Sequence, residues 1–257
     1  MKTIAIYNHK GGVGKTVTTV NVAYNMAACG KRILVVDMDP QGNTSSFFRR
    51  YDLNKVSVKE LLTGECVPSR SIKRTRYPSL DIIPANIRLR EMNATKLIGE
   101  DTTLKSALWA VENKYDYCII DCPPSVDFLA EVIMKAANEV IVPMTPDSFS
   151  TDGLASVLDI VHEFGSADVE VGCLFTKFYR NKETIKVIQN VIQTHNVCVF
   201  DSVIRRHSAV DRSVNRHRPL MKCASKTAAA LDYKEFTEEL LRKEIAYGIV
   251  TKSDCDK

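Results

Sequence analysis

The chain has 257 residues, 45% of them apolar and 26% charged, with Lys plus Arg at 35 and Asp plus Glu at 31. Those fractions exclude a disordered, collagen-like or fibrous chain, and the length holds one large α/β domain or two small ones. A net charge of +4 demands no nucleic-acid partner but permits one where basic residues cluster.

Thr3–Tyr7 reads as a first strand that runs straight into a glycine-rich loop, with no signal-peptide cleavage site. Thr16–Cys29 follows with helical period, placing Val20, Ala23, Ala27 and Ala28 on one side. Further strands are expected at Ile33–Val36, Leu80–Pro84, Tyr117–Asp121, Val140–Pro143, Val169–Phe175 and Val197–Phe200. Several are apolar without alternation, which suits strands covered on both faces. Helical stretches fall at Val126–Ala137, Gly153–Phe164 and Lys182–His195. Thr227–Ala246 reads as a closing helix striped by Leu231, Phe236, Leu240 and Leu241.

Residues 47–79 are less periodic, carry Arg70, Lys73, Arg74 and Arg76, and read as a surface excursion. Repeated βα units argue for an α/β chain whose mostly parallel, twisted sheet carries helices on both faces. Residues 1–250 are expected to form a single domain and 251–257 a frayed tail. No apolar run approaches the ~18 residues of a membrane span. Eight Cys at 29, 66, 118, 122, 173, 198, 223 and 255 lack CxxC spacing and read as reduced, mostly buried thiols of a cytoplasmic chain. The five His show no metal-ligand spacing.

The sharpest motif is Lys10-Gly-Gly-Val-Gly-Lys-Thr16, lying between a strand and a helix. It departs from the G-x-x-x-x-G-K-[ST] pattern at its first position, where His9 stands. Gly11, Gly12 and Gly14 let the backbone curl so that the N–H groups, from Lys10 through Val13 to Val17, face phosphate oxygens at a helix amino end. Lys15 suits the β- and γ-phosphates and the Thr16 hydroxyl suits Mg²⁺. Asp37 and Asp39 stand at the end of one expected strand and Asp121 at the end of another, where open parallel sheets place ligands. Buried carboxylates need a metal, a water or hydrogen-bond donors. A turn or helix cap is the plainer use of Asp37 and Asp39.

With Lys10 at its front, the loop resembles the deviant Walker A motif of the ParA/MinD family of P-loop ATPases. Val35-Val-Asp-Met-Asp-Pro-Gln-Gly-Asn43 resembles that family's Walker A′ segment, and Tyr117-Cys-Ile-Ile-Asp-Cys-Pro-Pro-Ser125 resembles its Walker B and switch II. The Asp-Pro-Gln-Gly-Asn wording favours the ParA/Soj branch. The resemblance implies a single-domain P-loop fold with ATP and Mg²⁺ as cofactors. It makes Lys10, Lys15 and Asp39 the catalytic set, with Asp39 polarising the attacking water. Thr16, Asp37 and Asp121 would organise Mg²⁺, and Lys10 would reach the nucleotide of a partner subunit across an ATP-bound homodimer. Val17 stands where the family carries a second hydroxyl residue, so an altered nucleotide affinity is expected. Thr176 and Arg205 are the candidates for contact with the base.

Residues 201–222 hold Arg205, Arg206, Arg212, Arg216, Arg218 and Lys222 against only Asp201 and Asp211. Their local excess of +4 equals that of the whole chain. Clustered arginines without interleaved aromatics suit phosphate contacts, although a solvated face has the same composition. In ParA relatives this region binds DNA without sequence preference, so the resemblance implies nonspecific DNA binding by Arg205, Arg206, Arg212, Arg216 and Arg218, and nucleoid association of the ATP form. It further implies hydrolysis stimulated by a ParB-type adaptor, and plasmid or chromosome partition as the function. The chain starts at the first strand, so an amino-terminal helix-turn-helix extension is not expected. The rival readings are a MinD-like membrane-associated ATPase, a protein-cargo-positioning ATPase and a metabolic P-loop ligase. The short, acid-containing tail weighs against a stable membrane anchor, and Lys10 with the Asp-Pro-Gln-Gly-Asn segment weighs against the ligase.

Overall fold

The computed structural model describes residues 1–92, 103–147, 150–195 and 197–253. Eight strands form one sheet: β1 (Lys2–Ile6), β2 (Ile33–Asp37), β3 (Lys73–Arg74), β4 (Leu80–Ile83), β5 (Tyr117–Asp121), β6 (Glu139–Met144), β7 (Glu170–Phe175) and β8 (Cys198–Val199). Their spatial order is β3-β4-β2-β5-β1-β6-β7-β8, and every pairing is parallel except β3 with β4. The expected α/β fold, a mostly parallel sheet between helices, is therefore present.

All residues of β2, β5 and β6 are buried. The strand period of two divides them between two cores. Ala5, Leu34, Val36, Ile120, Val140 and Val142 face one, and Ile4, Ile6, Ile33, Val35, Ile119 and Ile141 face the other. The first core is closed by α5 (Thr103–Trp109), α6 (Phe128–Ala136), α7 (Ser150–Phe164) and α8 (Lys182–Thr194). The second is closed by α1 (Lys15–Ala28) and α11 (Ala228–Ser253), which pack on each other. Short helices complete the chain: α2 (Asn43–Phe47), α3 (Val58–Leu62), α4 (Pro68–Ser71), α9 (Ala209–Arg216) and α10 (Leu220–Cys223).

Several details differ from the sequence reading. Residues 47–79 are not a bare excursion: they hold α3, α4 and β3, the antiparallel edge. α6 starts at Phe128, not Val126, because the Asp127 carboxylate accepts from the Leu129 N–H and caps the helix. On α11 the buried face is Ala229, Ala230, Tyr233, Phe236 and Leu240, while Leu231 is half exposed, at 49%. Ala28 is likewise exposed at the end of α1. The helical backbone of α11 runs to Ser253; residues 254–257 of the 251–257 tail, Cys255 included, lie outside the described residues. Of the seven described cysteines only Cys118, Cys122 and Cys173 are buried, and all seven are unpaired thiols. No helix among the described residues is long and apolar enough to cross a membrane.

Candidate active site

β1 leads to β2 on one side of the sheet, while its neighbour β6 leads to β7 on the other, so the strand order reverses between them. Ligands of open α/β sheets bind beyond the strand carboxyl ends at such a switch point. The loop 8–14 fills this position. Gly12 and Gly14 adopt φ of 74° and 98°, the left-handed region where a side chain is disfavoured. Gly14 precedes α1, and no side chain caps that helix end. Its first N–H groups are thus available to an anion.

Three hydrogen bonds pin the loop. Asn8 Nδ2 donates to the Pro143 carbonyl at 2.9 Å, and Asn8 Oδ1 accepts from the Lys10 N–H at 2.9 Å. Thr176 Oγ1 donates to the Val13 carbonyl at 2.7 Å. Lys15 is buried, and its Nζ donates to the carbonyls of Asn8 at 2.7 Å and Lys10 at 3.0 Å. Burial pushes its pKa down, with Asp121 the chief opposing charge.

Asp121 ends β5 and is fully buried. Its Oδ2 accepts from Thr16 Oγ1 at 2.8 Å and from Thr44 Oγ1 at 2.6 Å, and its Oδ1 accepts a long 3.4 Å bond from Thr19. Thr16 and Asp121 are thereby brought together. Burial raises the Asp121 pKa to about 6 against the pull of Thr44 and Thr16. Asp39 is buried at the cleft wall and accepts from the Gln41 N–H at 2.8 Å.

Asp37 ends β2 in register with Asp121 and is fully buried. Its Oδ2 accepts from the Ser45 N–H at 2.8 Å and Ser45 Oγ at 2.6 Å, and its Oδ1 accepts from the Asp39 N–H at 3.1 Å. Those donors hold it on the 38–45 loop, so it braces Asp39 from behind. Burial and the neighbouring Asp121 charge raise its pKa to about 8. Gly42 is required in the same loop: its φ is 63°, and a Cβ there would lie 2.4 Å from the Tyr51 ring.

The cleft over the loop measures about 870 Å³ and is lined by residues 11–17, Asp39, Gln41, Pro124, Thr176, Arg205, Arg206 and Tyr233, among others. Arg205 is clasped by Asp232 of α11, through Nη2 at 2.5 Å and Nε at 3.0 Å. Thr176 is committed to the loop carbonyl, so its hydroxyl positions the loop. Lys10 Nζ lies 2.7 Å from Asp147 Oδ2. The arginine cluster is divided: Arg205 and Arg206 face this cleft, whereas Arg218 lines a separate pocket. Sequence reasoning missed Asn8, Thr44, Ser45 and Tyr233. Thr44 and Ser45 directly follow the Asp-Pro-Gln-Gly-Asn segment, which was the available signal.

Among the described residues no group of three or more His, Cys, Asp or Glu could hold a metal. Mg²⁺ commonly takes only one or two protein ligands beside phosphate oxygens and waters. The Thr16 hydroxyl beside the Asp121 carboxylate fits that donor set.

A glycine loop between the central strand and an uncapped helix, with a lysine and a hydroxyl–carboxylate pair at its mouth, defines a P-loop nucleoside triphosphatase. A family model described as AAA domain matches residues 1–170. The chain is 34% identical to the sporulation initiation inhibitor protein Soj of Bacillus subtilis, covering 93% of this chain and 98% of Soj. It is 30% identical to the chromosome partitioning protein ParA of Caulobacter vibrioides, over 95% of both. Among solved structures, the ADP- and magnesium-bound cobyrinic acid a,c-diamide synthase of Mycobacterium smegmatis matches with TM-score 0.81 and 30% identity over 94% of both chains. A plasmid partition protein of Borrelia burgdorferi shares the fold, with TM-score 0.77 and 23% identity over 94% of this chain and 98% of that one. The chain belongs to the Soj/ParA family of P-loop ATPases.

Proposed function

We propose that this chain is the Mg²⁺-dependent ATPase of a DNA-partitioning apparatus. The observation that carries the reading is the meeting of Lys15, Thr16, Asp39 and Asp121 around one glycine loop. Residues 1–250 act as one ATPase domain. The loop N–H groups and Lys15 hold the phosphates, and Lys15 leaves its carbonyl partners to do so. Thr16 and Asp121 would hold Mg²⁺, which would supply neutralisation of the phosphate charge. Asp39 accepts a proton from the attacking water, and Asp37 fixes the loop that carries it. Arg205 and the buried Tyr233 line the nucleotide cleft, and Val17 contributes its N–H alone.

Lys10 completes the site of a partner subunit, so ATP joins a homodimer and hydrolysis is slow until that dimer assembles. The dimer binds DNA without sequence preference through basic residues of the 205–222 segment, and a ParB-type adaptor accelerates hydrolysis. The identity with Soj and ParA over nearly the whole chain supports this reading.

The test is binding of the Asp39→Ala protein to random-sequence duplex DNA with ATP, ADP or no nucleotide, across a salt series. Tight, salt-sensitive binding with ATP alone is expected. ATP-dependent dimers with no DNA binding would replace DNA with a protein cargo.

A further inference from the structure

The 201–222 segment is not the only basic stretch. Residues 49–76 hold eight Lys and Arg against three Asp and Glu, a net +5. The two segments meet at the β3 edge of the sheet. Arg76 Nη2 donates to the His217 carbonyl at 2.7 Å, across 141 residues of chain. Beside this bridge lies a pocket of about 460 Å³, lined by Arg76, Arg218, Lys222, Tyr24, Tyr77 and the last turn of α1. No carboxylate lines it. None of its three cations forms a salt bridge among the described residues.

Arg76 is the anchored member of the three. The Arg76 guanidinium lies 5.4 Å from the Tyr77 ring centroid. Arg218 and Lys222 are four residues apart, flanking the start of α10. The basic character continues along the edge: a second hollow of about 310 Å³ carries Arg49, Arg50, Lys55, Lys73 and Arg74 with one carboxylate, Asp52. Arg50 Nε donates to the Arg74 carbonyl at 2.8 Å and ties that hollow to β3.

We infer that the Arg76–Arg218–Lys222 pocket and the β3 edge form a seat for the phosphate backbone of duplex DNA. This rests on the DNA reading above and moves its centre away from α9. Cations strung along an edge, of which only Lys55 among the described residues is paired with a carboxylate, Asp52, complement a row of phosphates. The aromatic rings favour a duplex over a single strand. Tyr77 is buried, and Tyr24 packs on it edge-on at 5.2 Å, so neither ring presents an open platform for an unpaired base.

The experiment compares wild type with the combined Arg76→Gln, Arg218→Gln and Lys222→Gln variant. Fluorescence anisotropy with a labelled random duplex is read in ATP from low to high salt. Each lost phosphate contact lowers the slope of log K against log salt by ~0.9, so the triple variant is expected to lose about 3 from the slope while its basal ATP hydrolysis is unchanged. Lys222→Glu, at an exposed position, keeps the test open should the triple variant unfold, and is expected to weaken binding in the same salt-dependent way. Wild-type DNA binding with no change in either variant would overturn the placement and leave the DNA reading standing. No wild-type binding with any nucleotide would overturn both. A triple variant that binds DNA normally but binds less ADP would make the pocket a nucleotide subsite and overturn the proposal.

Discussion

Lys10 and Asp147 form an ion pair within one chain, Nζ to Oδ2 at 2.7 Å, with both side chains more than one third exposed. A lysine that serves a partner's nucleotide must leave this carboxylate first. In the proposed dimer the pair would therefore oppose association by its own small strength, about 0.2–1 kcal/mol for each exposed pair. Each dimer breaks two such pairs, so Asp147→Ala is expected to lower the protein concentration at half-dimerisation in ATP by about twofold to thirtyfold. Sedimentation velocity over a dilution series checks this, and a dimer no tighter than wild type would remove any restraining role for Asp147.

Lys15 and Asp39 should separate binding from chemistry. Hydrogen bonds from a charged donor are worth about 1.5–3 kcal/mol, so Lys15→Ala is expected to weaken ATP affinity by about tenfold to a hundredfold. Asp39→Ala should keep ATP affinity within a few-fold and remain dimeric. Its turnover should fall by about a hundredfold or more, as for loss of a general base. Calorimetric titration and a phosphate-release assay distinguish the two. Hydrolysis by Asp39→Ala at the wild-type rate would exclude the water-activating role.

Thr176→Val removes the hydroxyl that holds the Val13 carbonyl and leaves the strand intact. A buried carbonyl loses its side-chain partner, at about 1–3 kcal/mol. The expected result is a lower unfolding midpoint in urea and a raised KM for ATP with little change in kcat. Thr176→Ser should restore both. An unchanged KM would mean that the loop keeps its shape without this bond.

Asp37 gives a pH signature in the nucleotide-free protein. Burial raises its carboxyl to about 8 in the fold, above the ordinary carboxylate value of the unfolded chain. Between those values the folded state binds more protons than the unfolded one, so stability falls as pH rises from about 4 to about 8. Asp37→Asn should flatten that fall, whatever its effect on stability at low pH. Urea titrations at several pH values test it, and an equal slope in both proteins would place the titration elsewhere.

The parts legible in the sequence were those written in contiguous residues. The glycine loop needs its glycines, Lys15 and Thr16 next to one another, and the unbroken apolar runs of β2, β5 and β6 announce a sheet covered on both faces. What escaped depends on contacts between distant residues. Asp37 and Asp39 are two positions apart and look alike in the sequence. Only the return of the chain at Ser45 turns one toward the loop backbone and leaves the other at the cleft. Arg205 and Arg218 belong to one basic run, yet Asp232 holds the first, and the second stands beside Arg76. Leu231 fits a helical stripe by spacing, but α1 meets the neighbouring face of α11, where Tyr233 lies 3.2 Å from Thr18.

Both outer strands of the sheet, β3 and β8, are only two residues long. A sheet edge with so few free peptide groups offers little template for another chain, and the β3 edge also carries two cations, Lys73 and Arg74, that repel a second copy. The molecule can thus be crowded face to face without its sheets adding end to end. Fibre growth through backbone pairing is thereby disfavoured at both ends of the sheet.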